Sequence, residues 1–276
     1  MNNVQGVEGE FDRARTSNCG SRLYALEQAT GAVTWQTPLP ATGSRASVAV
    51  AGGRVFVNTD AHQLYAVNQL TGAVLWTANT SAGTSSQESS PAFGFNKVYV
   101  GSDDGLYAFD AATGALAWKY PLAALVGFSS PVVVSSGTSP PLVLIGSADM
   151  KVHAVDANTG AGVWTHASNI SLADTSLATG DGRVFTRNMA GAVALDVNTG
   201  AVLWARSIGL PVKTPAATGR VVFYSNGQDV IGLDTATGAL LWKAPIPGSN
   251  VTAGADMAVA LEMLVVPNRG HIYAFR

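Results

Sequence analysis

The residues of this chain that could do chemistry do not assemble into a recognisable constellation by spacing. Its four histidines, His62, His153, His166 and His271, fall far apart and show no metal-ligand spacing. Cys19 is the only cysteine. An intrachain disulfide is therefore excluded, and with no histidine nearby Cys19 reads as a small side chain beside a turn. The run Ser102-Asp103-Asp104-Gly105 resembles a fragment of a calcium loop but lacks the alternating acidic series and the distal glutamate. It reads as an Asp-Gly turn between two strands. Asp103 and Asp149 are the carboxylates that a closed arrangement of strands could bring face to face, as acid–base chemistry requires. There is no G-x-S-x-G elbow and no phosphate-binding glycine loop.

The elements that must position these residues are written in a repeat. All six tryptophans occupy one position of the pattern A-x-[DEN]-x-x-T-G-x-x-x-W. The copies are Ala25, Gly31, Trp35; Ala66, Gly72, Trp76; Ala108, Gly114, Trp118; Ala154, Gly160, Trp164; Ala194, Gly200, Trp204; and Gly232, Gly238, Trp242. A seventh copy begins around Ala274. Successive tryptophans are 41, 42, 46, 40 and 38 residues apart, the length of one four-stranded propeller blade. Residues 47–79 show how a copy becomes strands. An apolar run ends at Gly52-Gly53, RVFVN and QLYAVN alternate across an Asp-Ala-His turn, and LTG leads into AVLWTA.

The turn has its own mechanism. The Asp110 carboxylate is placed to accept from the Ala112 or Thr113 amide, and Gly114 supplies the left-handed residue that closes a bulged hairpin. The small residue at the Ala position and the Trp fall on paired strands, which leaves room for an indole to dock. These tryptophans are expected to be buried struts between blades.

Seven LYA-type strands are present: LYAL, LYAV, LYAF, VHAV, AVAL, VIGL and IYAF. Room for two strands before the first, at Gln5–Gly9 and Phe11–Thr16, predicts an all-β propeller of seven four-stranded antiparallel blades. An N-terminal strand would close the last blade and remove an open edge. The alternative is an incomplete eight-bladed ring. Residues 1–276 are read as one domain and one monomer.

In such a fold the loops entering the innermost strand, with those between the second and third strands, frame one mouth of a channel. Arg45, Glu88, Asp103, Asp104, Phe128, Asp149, Arg187, Lys213 and Arg269 are its candidate binding residues. Asp60, His62, Gln87, Lys151, His166, Asp174, Asn188, Asn226, Asn250 and His271 accompany them. Residues 79–90 and 122–130 are the longest segments reaching that face, and binding residues tend to ride on loops of rigid scaffolds.

Composition narrows the function classes. Apolar residues make up 47% of the chain and charged residues only 12%, which suits a sheet protein with Ser, Thr, Asn and Gln outside, and an exported one. A net charge of −2 leaves no electrostatic footprint for nucleic acid. No apolar run is long enough to span a bilayer as a helix. The first residues lack the apolar segment of a signal peptide. Either the protein is cytoplasmic or an export segment has been removed, and a periplasmic or secreted location is favoured.

The docking pattern resembles that of the pyrroloquinoline-quinone-type repeat propellers over nearly the whole chain. That family includes quinoprotein alcohol dehydrogenases, the propeller lipoprotein of the outer-membrane β-barrel assembly machinery, and sensor ectodomains. The resemblance implies the fold and leaves three functions. The first is a non-catalytic binding or assembly scaffold for a protein, peptide or glycan, without a cofactor. The second is a quinone- and calcium-dependent dehydrogenase. Those enzymes are longer eight-bladed chains, many with paired cysteines, and their cofactor tryptophans are additional to the struts. The third is a sensor or structural domain of a larger exported protein. The scaffold is the reading adopted here.

Overall fold

The structure is a computed structural model that describes residues 22–39, 46–81, 89–135, 140–210, 214–246, 257–260, 263–268 and 271–275. The expected strands at Gln5–Gly9 and Phe11–Thr16 lie outside these residues. Among the described residues every regular element is a strand, and none is a helix.

The chain forms two compact units, Met1–Pro131 and Val132–Arg276. The first unit opens with a two-stranded sheet, β1 (Arg22–Leu26) and β2 (Val33–Pro38). A four-stranded sheet follows: β3 (Ala49–Ala51), β4 (Arg54–Thr59), β5 (Gln63–Asn68) and β6 (Val74–Asn79). The next contains β7 (Ala92–Gly94), β8 (Lys97–Ser102), β9 (Gly105–Asp110) and β10 (Leu116–Pro121).

The second unit holds three more four-stranded sheets. They are β11 (Val132–Val134), β12 (Leu142–Gly146), β13 (Lys151–Asp156) and β14 (Gly162–Ala167); then β15 (Ala178–Gly180), β16 (Arg183–Asn188), β17 (Gly191–Asp196) and β18 (Val202–Ser207); then β19 (Ala216–Thr218), β20 (Val221–Ser225), β21 (Asp229–Asp234) and β22 (Leu240–Pro245). A three-stranded sheet ends it, with β23 (Ala258–Ala260), β24 (Met263–Asn268) and β25 (His271–Phe275). Every pairing is antiparallel between consecutive strands, so each sheet is a simple meander or part of one.

Within each unit the apolar faces of neighbouring sheets cover one another. In the first unit Phe56 and Leu64 pack with Val98, Val100 and Phe109 of the next sheet. In the second, Leu142, Leu144 and Val152 meet Val184, Val193 and Leu195. Phe185 and Trp204 meet Val222 and Tyr224. Each fully buried side chain of this kind contributes roughly 1.5–3 kcal/mol. The three-residue first strands lie side by side, β3 with β7, and β11, β15, β19 and β23 in succession. They are the inner edge of each unit, and the Trp-bearing strands are the outer edge.

The docking motif is built as its spacing demands, with one addition. Asp110 Oδ1 accepts the Ala112 amide at 3.1 Å and the Thr113 amide at 2.9 Å. Gly114 has φ +75°, and a bulge follows in the β9–β10 register. Ala25, Ala66, Ala108, Ala154 and Ala194 each stand opposite the Trp of their own sheet and are buried.

The addition is that four motif glycines also form the floor on which the previous sheet's indole rests. A Cβ on Gly72, Gly114, Gly200 or Gly238 would lie 2.5–2.7 Å from Trp35, Trp76, Trp164 or Trp204 respectively. The same indoles donate their N–H to the next sheet's turn carbonyls, at Gln69 (3.0 Å), Ala111 (3.2 Å), Val197 (3.0 Å) and Thr235 (2.9 Å). The struts are therefore real, but only Trp118 and Trp204 are buried. Trp35, Trp76, Trp164 and Trp242 are half-buried, because the fourth strand is an edge and turns one side of each ring to solvent.

Candidate functional site

The turns between second and third strands and the loops that run on to the next inner strand share one end of the sheets, and hydrogen bonds tie them together. Leu122 N donates to Asp104 O at 3.2 Å and Val126 N to Ser102 O at 3.2 Å. Leu172 N donates to Ser147 O, Ser168 N to Met150 O, and Thr80 N to His62 O. Asn226 Nδ2 reaches Ile208 O at 2.9 Å. In each unit these loops are thus pinned by backbone hydrogen bonds to the turns they pass.

Behind the rim runs a feature that the charged residues did not reveal. Ser47 N donates to Ser90 Oγ (2.9 Å), Ser90 N to Ser130 Oγ (3.1 Å), and Ser176 N to Thr214 Oγ1 (3.1 Å). Each hydroxyl sits two residues before an inner strand, and Ser89, Ser129 and Thr175, which precede Ser90, Ser130 and Ser176, are buried. The repeated Ser-Ser-Pro at 89–91 and 129–131, with Thr214-Pro215, is the sequence signal.

The expected site residues divide into rim scaffolding and solvent-facing groups. Arg45, Glu88, Lys213 and Arg269 lie outside the described residues, as do Gln87 and Asn250. Asp103 and Asp104 form the β8–β9 turn, which confirms the Asp-Gly turn. Asp104 accepts Lys119 Nζ at 2.6 Å and the Tyr107 hydroxyl at 2.9 Å. Partial burial opposes ionisation, but the ammonium and the hydroxyl together hold its carboxyl below the ordinary value. Phe128 is half-buried on the loop that closes over this turn. Asn188 and Asn226 spend their amide oxygens on backbone N–H groups of their own turns.

In the second unit, residues 168–177 bridge the two remaining candidates. Their start is bonded to the turn carrying Asp149, and Ser171 O accepts Arg187 Nη2 at 3.3 Å. Burial lowers the Arg187 pKa against the pull of Asp174. Asp149 caps its turn through Lys151 N and contacts His153 Nε2 at 2.9 Å. Burial lowers the pKa of His153, with Asp149 opposing, and burial alone lowers that of His166. His153 is thus a buried turn support that the spacing argument passed over.

The same mouth of the second unit exposes apolar side chains. Met150 is 48% exposed, Met189 66% and Leu210 45%. Met150 and Met189 occupy second-to-third-strand turns of adjacent sheets, and Leu210 follows on the next connecting loop. Being uncharged, they carry no signal of a polar site in the sequence.

The family model described as outer membrane protein assembly factor BamB matches residues 9–144 and 148–276. The chain belongs to that family. A crystal structure of BamB from Moraxella catarrhalis has the same fold, with TM-score 0.74 and 21% identity over 92% of this chain and 78% of that one. The computationally designed Ika8 protein is similar at TM-score 0.56 and 17% identity, covering 93% and 91% of the two chains. No curated protein matches the chain significantly. The fold is a β-propeller of four-stranded antiparallel blades.

A quinone–calcium centre, which the wider repeat family implies, does not fit these residues. Four indoles are already seated on neighbouring glycine turns. The sequence has no pair of cysteines, and among the described residues no three acidic, His or Cys side chains converge. No reaction step is derived through such a group. No helix of the described residues is long and apolar enough to cross a membrane.

Proposed function

We propose that this BamB-family propeller is a non-catalytic assembly scaffold whose mouth loops hold a protein partner during outer membrane protein assembly, outside the cytoplasm. The observation that carries the reading is the trio Met150, Met189 and Leu210, exposed on a mouth whose backbone is pinned by hydrogen bonds. Flexible thioethers on a rigid rim adapt to an apolar partner surface. Arg187, Lys151, Asp174 and Asp149 rim them with both signs of charge, as interface rims are. Asp103, Asp104 and Phe128 are the candidates at the corresponding end of the first unit, and Arg45, Glu88, Lys213 and Arg269 are proposed from the sequence pattern alone. The family's description as an outer membrane protein assembly factor supports a protein partner over a peptide or glycan. The reading of residues 1–276 as one monomeric domain of seven blades belongs to the same proposal, with a single cooperative unfolding transition of a monomer as its test.

The functional test replaces Met150, Met189 and Leu210 together by Glu in a strain that depends on the protein. Outer membrane protein assembly should fall while the variant's level and thermal stability stay normal. Normal assembly at normal variant levels would count against the mouth.

A further inference from the structure

The turns between first and second strands lie at the end of the sheets opposite the mouth, and one of them breaks the local rule. Three of these turns take the left-handed conformation with small or polar residues: Gly52-Gly53, Asp181-Gly182 and Gly219. The β7–β8 turn takes it with Phe95 (φ +50°) and Asn96 (φ +58°). A bulky residue there is strained, and an outlier of this kind points toward function. The Phe95 side chain is also 41% exposed, so neither conformation nor solvation explains it.

Its surroundings say what would bind. Phe93, 37% exposed, stacks on the buried Phe56 of the neighbouring sheet, with centroids 6.1 Å apart and planes 8° apart. Arg54 precedes Phe56 by two residues on β4 and so shares its face. Its Nη1 donates to Gly52 O at 2.9 Å, as Arg183 Nη1 does to Asp181 O at 2.7 Å, and the Nε of both arginines is unbonded. Lys97 and Arg183 stand opposite Asp110 and Asp196 in the strand register, and Arg220 forms an ion pair with Asp234 at 2.6 Å. Arg54 instead stands opposite Asn68, whose side-chain oxygen is taken by the Leu70 and Thr71 amides. Among the described residues Arg54 is the one cation at this register position with no carboxylate opposite it, and the neighbouring sheet carries the exposed Phe93 and Phe95.

We infer that this corner is a second docking surface, independent of the mouth, for an acidic and apolar peptide segment of a partner protein. A Leu or Phe side chain of the segment covers Phe93 and Phe95, and an adjacent Asp or Glu supplies Arg54 with its carboxylate.

The test uses fluorescein-labelled short peptides in which Leu and Phe alternate with Asp and Glu, and matched peptides with Lys and Arg, read by anisotropy on the whole chain. The acidic peptide should bind at least about tenfold more tightly than the basic one. Phe95→Gly and Arg54→Gln should each weaken it by roughly fivefold or more. Phe95→Gly should leave Tm equal or higher, because glycine is at home at that φ. The proposal is overturned if the acidic peptide fails to bind at about 1 mM, if both peptides bind alike, or if binding survives the two substitutions. Concentration-dependent dimers abolished by Phe95→Gly would also overturn it, by assigning the patch to a second copy.

Discussion

Gly182 and Gly200 make a matched experiment within one sheet. Both have φ +71°, but a Cβ on Gly182 meets nothing within 4 Å, whereas one on Gly200 would lie 2.5 Å from Trp164 Cε3 and 2.7 Å from Cδ2. The indole cannot slide away freely, since its N–H is bonded to Val197 O at 3.0 Å. Gly182→Ala should therefore cost only the left-handed strain, about 1–2 kcal/mol. Gly200→Ala adds overpacking of about 1–3 kcal/mol, for a total on the order of 2–5 kcal/mol. Urea unfolding followed by tryptophan emission gives both values. In a Trp164→Ala background the extra cost of Gly200→Ala should vanish, leaving about 1–2 kcal/mol, because the clash has no partner. Equal losses for the two alanines in the parent protein would refute the claim that the motif glycine is a docking floor as well as a turn residue.

Trp204, buried and bonded to Thr235 O, should cost about 3–5 kcal/mol when replaced by Ala. The half-buried Trp164 should cost less in the same urea titration. The Asp234 carboxyl is held down to about 2, first by Arg220 and then by Thr237. That is below its unfolded value of about 3.9, so its contribution is complete above that pH and is lost as pH falls through about 2. Asp234→Asn should flatten the acid limb of a stability–pH curve. His153 and His166 are both lowered by burial, so unfolding takes up protons and stability should fall as pH drops below about 6.5. His153→Gln should reduce that slope without abolishing it, as read by urea midpoints at about pH 7 and about pH 5.

Periodicity made the blades legible because each one repeats the same local chemistry. An Asp or Asn carries the turn amides, a glycine takes the left-handed position, and a small residue faces an indole. The sequence could say that Gly114 needs a positive φ. It could not say that Trp76 of the preceding sheet rests on it, since that contact belongs to packing between repeats. The tryptophans were expected to be more buried than they are, because a pattern of spacing does not show that the fourth strand is an edge. The mouth was legible only in part. Asp149, Asn188 and Asn226 lie on its turns but spend their polar atoms holding those turns. Met150, Met189 and Leu210 carry no charge and no motif, and only the backbone places them in solvent. The hydroxyl ladder from Ser47 to Ser130 escaped notice because serine in loops is common, and only its register with the inner strands gives it meaning.

The most direct measurement is site-specific photo-crosslinking in living cells, with the crosslinking residue placed at Met189 on the mouth or at Leu240 on the outer strand of another blade. The proposed function requires a discrete adduct to a protein of the outer membrane assembly process from Met189 and none from Leu240. Absence of an adduct at Met189, or the same adducts from both positions, would contradict a mouth-centred scaffold.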